Sequence, residues 1–191
     1  SRKTYLKAST CKNEFENEEN DQNINKAADE LRILAKSYKE KSEWFMAYKC
    51  ILQAASKNSL CYQDYIELAT CQINLNHPKL AQFFIDEMRI MQPDSSMAAN
   101  LEAFLYAKDQ DYEKALEKGV EAFIRDPGVS GYQNNIQQIA KKLGLTPIDA
   151  IRKIGLSWID SGRRKDGLFA LIIYLKFKPE DNEIKRIIAK Y

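Results

Sequence analysis

Along residues 28–129 small and large side chains recur with a period longer than any single helix. Ala35, Ala69 and Ala103 stand 34 residues apart, and so do Ala47, Ala81 and Ala115. Around each pair runs one skeleton: a large residue, then large-small three positions on, then Tyr, then Ala with a large residue four further, then Pro. The first copy reads Leu31, Leu34-Ala35, Tyr38, Trp44, Ala47, Ile51 and Ala54. The second reads Tyr65, Leu68-Ala69, Ala81, Ile85 and Pro93, and the third Ala99, Ala103, Tyr106, Tyr112, Ala115, Ala122 and Pro127. Apolar positions three and four apart form one helix face, so each 34-residue period predicts a pair of helices, at 28–61, 62–95 and 96–129.

The alanines have a steric reason. Two antiparallel helices joined by a short turn approach closely only where small side chains face each other. Ala35, Ala69 and Ala103 would lie on each first helix, and Ala47, Ala81 and Ala115 on each second one. Aromatics such as Tyr38, Trp44, Tyr106 and Tyr112 would fill the space near the turn. Pro93 and Pro127 would stop the second helix, since proline lacks the amide donor and clashes with the preceding turn. Four positions depart from the skeleton: Gln72 replaces an aromatic, Glu102 a Leu, Gly119 a large residue and Ser59 the first Pro.

After Pro127 the period breaks. Ile136, Ile139-Ala140 and Leu143 predict a helix over 130–144 that stops at Gly144. Thr146-Pro147 with Asp149 predicts a helix start: a hydroxyl cap, proline at the first position and an acid against the dipole. That helix runs to about Gly162, another spans about 165–178, and a short last one follows Pro179. The skeleton is next sought at Gly167, Ala170, Tyr174 and Phe177, yet Ala170 lies 55 residues after Ala115. These helices form either two degenerate repeats or one extra helix, one repeat and a cap, and Trp158 stands where a small residue is expected.

The double alanine register with its Tyr and Pro positions resembles the tetratricopeptide-repeat (TPR) family. That resemblance implies an all-α, helical-hairpin solenoid, a right-handed superhelix of about ten helices. Residues 1–26 would form an arm and acidic linker, 27–129 three repeat units and 130–191 degenerate helices with a cap, in one continuous domain. It also implies a protein-interaction scaffold or adaptor, whose groove is lined by the first helix of each unit. Carried over by register, the groove set is Asp29, Arg32, Lys36 and Lys39, then Gln63, Ile66, Thr70 and Ile73, then Met97, Asn100, Phe104 and Lys108. In family members that grip chaperone tails, set inner positions clamp a terminal carboxylate. The matching residues here are Arg32, Lys36, Thr70, Asn100 and Phe104, which keep only the first pair of bases, so the clamp reads as absent. The expected partner is a protein segment with apolar side chains flanked by acids; self-association through end helices is a further option. The groove is either exposed or covered by the chain's own termini.

Charge adds a second candidate surface. The chain of 191 residues has a formal net charge of +2, too small to require a polyanion. Between 141 and 178, however, nine bases face three acids. Arg152, Lys153, Arg163, Arg164 and Lys165 form the patch that could meet RNA or an anionic surface, although no interleaved aromatics offer a stacking platform. The acids at 14–21 read as a solvated linker, able to fold back toward Arg32, Lys36 and Lys39. Phosphate-loop, dinucleotide and zinc-protease motifs are missing. The one histidine, His77, sits in an Asn-His-Pro turn, so the reading is a non-enzyme with no cofactor and no metal. The four cysteines Cys11, Cys50, Cys61 and Cys71 lack paired spacing and read as packed thiols or, in an extracytoplasmic setting, a disulfide. No apolar run approaches the ~20 residues of a membrane span. A start at Ser1 without Met leaves two settings, the cytoplasm or a cell envelope with a leader removed.

Overall fold

The computed structural model describes residues 23–191, and the described residues form ten helices without a strand. Helix α1 covers 23–40, α2 Trp44–Lys57, α3 Tyr62–Asn74, α4 Pro78–Met91 and α5 Ser96–Lys108. Then come α6 Tyr112–Arg125, α7 Ser130–Lys142, α8 Pro147–Asp160, α9 Arg164–Phe177 and α10 Asn182–Ile188. The expected arm at 1–22, with Cys11 and the acids at 14–21, lies outside the described residues. The structure divides into one unit ending at His77 and a second from Pro78 to Tyr191.

In the first unit α2 packs on α3. Ala35, Ala47 and Ala69 are all buried, as are Ile51, Ala54 and Leu68. Gln72 has an explanation here. It is fully enclosed, and its side-chain oxygen lies 2.8 Å from His77 Nδ1, while the His77 amide donates to the Gln72 carbonyl at 2.9 Å. The pair ties off the turn after α3, which gives the lone histidine a structural place.

The turns themselves repeat. Ser42, Asn76 and Gln110 all have φ near +60°, at the same 34-residue spacing as the alanines. Each is the left-handed residue that reverses the chain after a helix, with the next amide reaching back to close the turn, as Asp111 N–H does to Tyr106 O at 3.0 Å. Gly144 and Gly162 hold the same left-handed position after α7 and α8.

In the second unit α5 packs most extensively on α6, and α8 on α9; the contact between α7 and α8 is far thinner. Of the two arrangements left open by the sequence, the structure therefore shows an extra helix α7, one hairpin α8–α9, and the cap α10. The skeleton resumes with Ile154-Gly155, Trp158, Gly167, Leu171 and Pro179. Gly155 to Gly167 spans the same 12 residues as Ala103 to Ala115, shifted by 52 rather than 34. This corrects two expectations: Gly167 and not Ala170 holds the small position, and Trp158 occupies the aromatic slot rather than a small one. The crossing is tight, since a Cβ on Gly167 would lie 2.6 Å from the Gly155 carbonyl oxygen.

Gly119 marks where α7 enters. A large residue is expected there, and instead Ile136 of α7 approaches, 3.5 Å from where a Cβ would stand. Glu102, at another expected apolar position, is buried and anchors an ion network. Arg89 gives it two hydrogen bonds at 3.0 and 2.7 Å, and Lys118 lies 2.8 Å away. Glu121, equally buried, takes Arg125 at 2.8 Å, with Arg89 and Arg163 at 3.4 and 3.6 Å. The network joins α4, α5, α6 and the start of α9. Burial alone would raise the Glu102 carboxyl, but the bonds from Arg89 and Lys118 outweigh it and hold the group below its ordinary value.

Candidate partner-binding site

The groove residues carried over from the repeat register fall in both units. In the first, α1 and α3 supply a cavity of about 380 Å³ lined by Arg32, Lys36, Lys39 and Gln63, with Ile33, Ala35 and Ile51 as its apolar part. Two of its bases are already engaged. Arg32 forms a fork onto Asp64, both bonds 2.8 Å, and also reaches Asp29 at 3.1 Å. Lys39 pairs with Glu67. Asp64 is almost fully enclosed and caps α3 by accepting from Cys61 N–H at 3.0 Å. Burial would raise its carboxyl, but Arg32 and that amide pull it below its ordinary value. Lys36 is exposed and forms no ion pair among the described residues. Ile66 and Thr70 are half-buried, the Thr70 hydroxyl donating to Ile66 O at 2.7 Å, and Ile73 is buried.

In the second unit the third set separates by depth. Met97 is half-buried, Asn100 buried, and Phe104 and Lys108 exposed, Phe104 at 43%. Asn135 of α7 donates to Asn100 Oδ1 at 2.8 Å. Beside this bond Phe104, Ala107, Tyr112, Asn135, Gln138, Ile139 and Lys142 enclose a cavity of about 220 Å³. Sequence reasoning missed the α7 contribution, although Asn135, Gln138 and Lys142 follow the i, i+3, i+7 spacing of one helix face. Register could not assign them because α7 lies outside the 34-residue period.

The basic patch is largely compensated from outside its own segment. Arg152 meets Glu183 at 2.6 Å and Asp181 at 3.4 Å, and Lys153 meets Glu113 at 2.8 Å. Arg163 bonds Asp166 at 2.8 Å and Glu117 at 3.1 Å while stacking on Trp158 at 4.4 Å. Arg164 lies over the Tyr191 ring, and Lys165 is exposed. The count over 141–178 omitted these acids, which come from α6 and the chain end. Cys50 and Cys71 are buried and Cys61 exposed, all three unbridged; burial pushes the Cys71 thiol up to about 11.

Comparison with known proteins rests on structure, since no family model and no curated protein matches the chain. TTC0263, a thermophilic TPR protein of Thermus thermophilus, superposes with a TM-score of 0.57 at 14% identity, covering 86% of this chain and 98% of that one. The chain has the tetratricopeptide-repeat fold. The first TPR of Spaghetti (RPAP3), solved with the HSP90 peptide SRMEEVD, agrees at a TM-score of 0.51 and 13% identity over 62% of this chain and 94% of its own. Cut9 with Hcn1, from the APC/C, agrees at 0.52 and 14% over 84% of this chain and 35% of that chain. In TPR terms α8 and α9 are a full unit displaced by one inserted helix, and α7 is what distinguishes this array from the regular pattern. Among the described residues no helix is long and apolar enough to cross a membrane.

Proposed function

We propose that this TPR chain is a protein-interaction scaffold that binds an apolar segment flanked by acids, with no carboxylate clamp and no chemistry of its own. One observation carries the reading: first-helix positions of the repeat, Lys36 in one unit and Phe104 in the other, stand exposed at the mouths of cavities. A buried core accounts for the alanines beneath them, but not for an exposed aromatic at a fixed register position. A TPR neighbour solved with a peptide supports the class of ligand. The positions matching a clamp hold Thr70, a buried Asn100 and Phe104, and Arg32 is already forked onto Asp64. Helix hairpins locked by small-residue crossings would hold these surfaces open, so ordering falls mainly on the partner.

The test is affinity capture from the source cell with mass spectrometry. Wild type is run beside Lys36→Glu/Phe104→Glu and Lys165→Glu/Arg164→Glu, after each is shown to keep native helicity. A protein retained by wild type and the second variant but lost by the first supports the scaffold reading. Retention by the first and loss by the second would move the binding surface to the basic C-terminal end and refute it.

A further inference from the structure

We infer that the cavity between Phe104 and the inserted helix α7 is a docking site for an extended partner segment carrying one large apolar side chain next to a carboxylate. The inference rests on the scaffold reading and adds a place and a chemistry to it. Size comes first. At about 220 Å³ the cavity falls below the roughly 300–1,000 Å³ of small-molecule sites, and suits one side chain rather than a free ligand. Its exposed floor is the Phe104 ring, which can stack on an aromatic or cover an aliphatic group.

The rim supplies the polar half. Asn135 uses its amide nitrogen on Asn100 Oδ1, which leaves an acceptor on Asn135 and donors on Asn100. Gln138 adds another amide. A side-chain amide offers both a donor and an acceptor, as an extended main chain does, so such a rim reads backbone without demanding a sequence.

Charge complementarity fixes the sign of the partner. Lys142 lines this cavity and Lys108 is exposed at the end of α5, and neither lies in an ion pair among the described residues. The contrast with other bases is sharp: Arg32 and Lys39 pair with Asp64 and Glu67, and Arg152, Lys153 and Arg163 pair with neighbouring acids. Cations left uncompensated beside an apolar cavity favour an acid flanking the anchor residue.

The probe is a fluorescent octapeptide, Ser-Asp-Glu-Leu-Phe-Glu-Asp-Ser, blocked at both ends so that no terminal carboxylate takes part. Anisotropy titration is expected to show binding that weakens at least about tenfold when its Leu-Phe becomes Ala-Ala, and likewise in Phe104→Ala. Lys142→Glu should weaken the acidic peptide about threefold to tenfold and strengthen a version with Lys for Asp and Glu. Lys36→Glu should change nothing. Both substituted side chains at the cavity are exposed, and circular dichroism checks that each variant stays folded. Loss in Lys36→Glu with Phe104→Ala and Lys142→Glu unaffected would overturn this site while leaving the scaffold reading intact. No binding up to about 1 mM overturns it too. So does a dimer in sedimentation that Phe104→Ala dissolves, which would name a second copy as the occupant.

Discussion

Two glycine-to-alanine changes in the same unit should move stability in opposite directions. In a helix interior the change gains roughly 0.5–1 kcal/mol, because glycine loses more backbone entropy on folding. At Gly119 the new Cβ would lie 3.5 Å from Ile136 Cγ1 and 3.8 Å from Ile139 Cδ1, ordinary contact. Gly119→Ala should therefore stabilise by about 0.5–1 kcal/mol. At Gly167 the Cβ would lie 2.6 Å from Gly155 O, 2.7 Å from Ile159 Cγ1 and 3.0 Å from Ile159 N. Carbon contacts are favourable at about 3.5–4.0 Å, and two of these three atoms are backbone, which cannot rotate aside. Helices α8 and α9 would have to separate, at the roughly 1–3 kcal/mol typical of overpacking.

Net of the entropy gain, Gly167→Ala should lose about 1–2 kcal/mol and lie some 2–3 kcal/mol below Gly119→Ala. The assay is urea unfolding in a Trp44→Phe background, where the buried Trp158 reports on this unit alone. With a slope of about 1–3 kcal/mol/M, the Gly167 midpoint should fall by roughly 0.5–1.5 M and the Gly119 midpoint should rise by a few tenths. A Gly167→Ala protein as stable as wild type would refute the glycine crossing. The assignment of α8–α9 as a displaced repeat unit would then lose its geometric basis.

Other consequences follow from single features. Gln110 holds φ of 62°, so Gln110→Gly should raise stability by about 0.5–1 kcal/mol; a lower melting temperature would count against the turn. Glu102 has its carboxyl held below 4.5 in the fold, so its contribution is complete above that pH and drains away as pH falls through the folded value. Glu102→Gln should flatten the acid side of a stability–pH profile, and an unchanged slope would contradict the network. Arg89→Met should cost about 3 kcal/mol or somewhat less, since Lys118, Arg125 and Arg163 still face the buried carboxylates; a loss below measurement would show the pair contributes nothing. In folded protein at pH 8, iodoacetamide should label exposed Cys61 well before Cys71, whose thiol is raised to about 11; mass spectrometry showing equal rates would refute the burial.

The fold was legible wherever one residue type had to recur for a steric reason. Alanines at a helix crossing cannot be exchanged for larger residues without moving backbone, so their spacing survives in a single sequence. The same reasoning failed at Gly155 and Gly167, because the sought spacing was a multiple of 34 and the real one adds a single helix to it. The departures from the skeleton were themselves signals. Gly119 was the space that Ile136 fills, Gln72 the partner of His77, and Glu102 the anchor of a buried ion network. Each broke a local rule where a longer-range contact compensates for it. Charge was read less well. A count along the chain assigned Arg152, Lys153 and Arg163 to an open patch, because the acids that meet them come from distant positions.

The inserted helix connects these observations. A hairpin repeat advances two helices at a time, so one extra helix changes which neighbour each later helix takes. Helix α8 follows α7 through a turn with the same left-handed residue that joins first and second helices elsewhere, yet its extensive packing is with α9. Local turn chemistry and tertiary packing thus assign α8 opposite roles, and the glycine crossing decides between them, because only α8 and α9 carry the facing small residues. Helix α7, without such a residue at the required spacing, makes only a thin contact with α8 and keeps a polar face rich in Asn and Gln. That face is not needed to close the repeat, which is why Asn135, Gln138 and Lys142 remain free to line a cavity against Phe104. A version of the chain with 130–147 deleted should therefore still fold, bringing Gly155 and Gly167 back into the 34-residue period, while losing the peptide site. Retained helicity with abolished octapeptide binding would support both halves of the argument. Retained binding would place the site on the repeat helices alone.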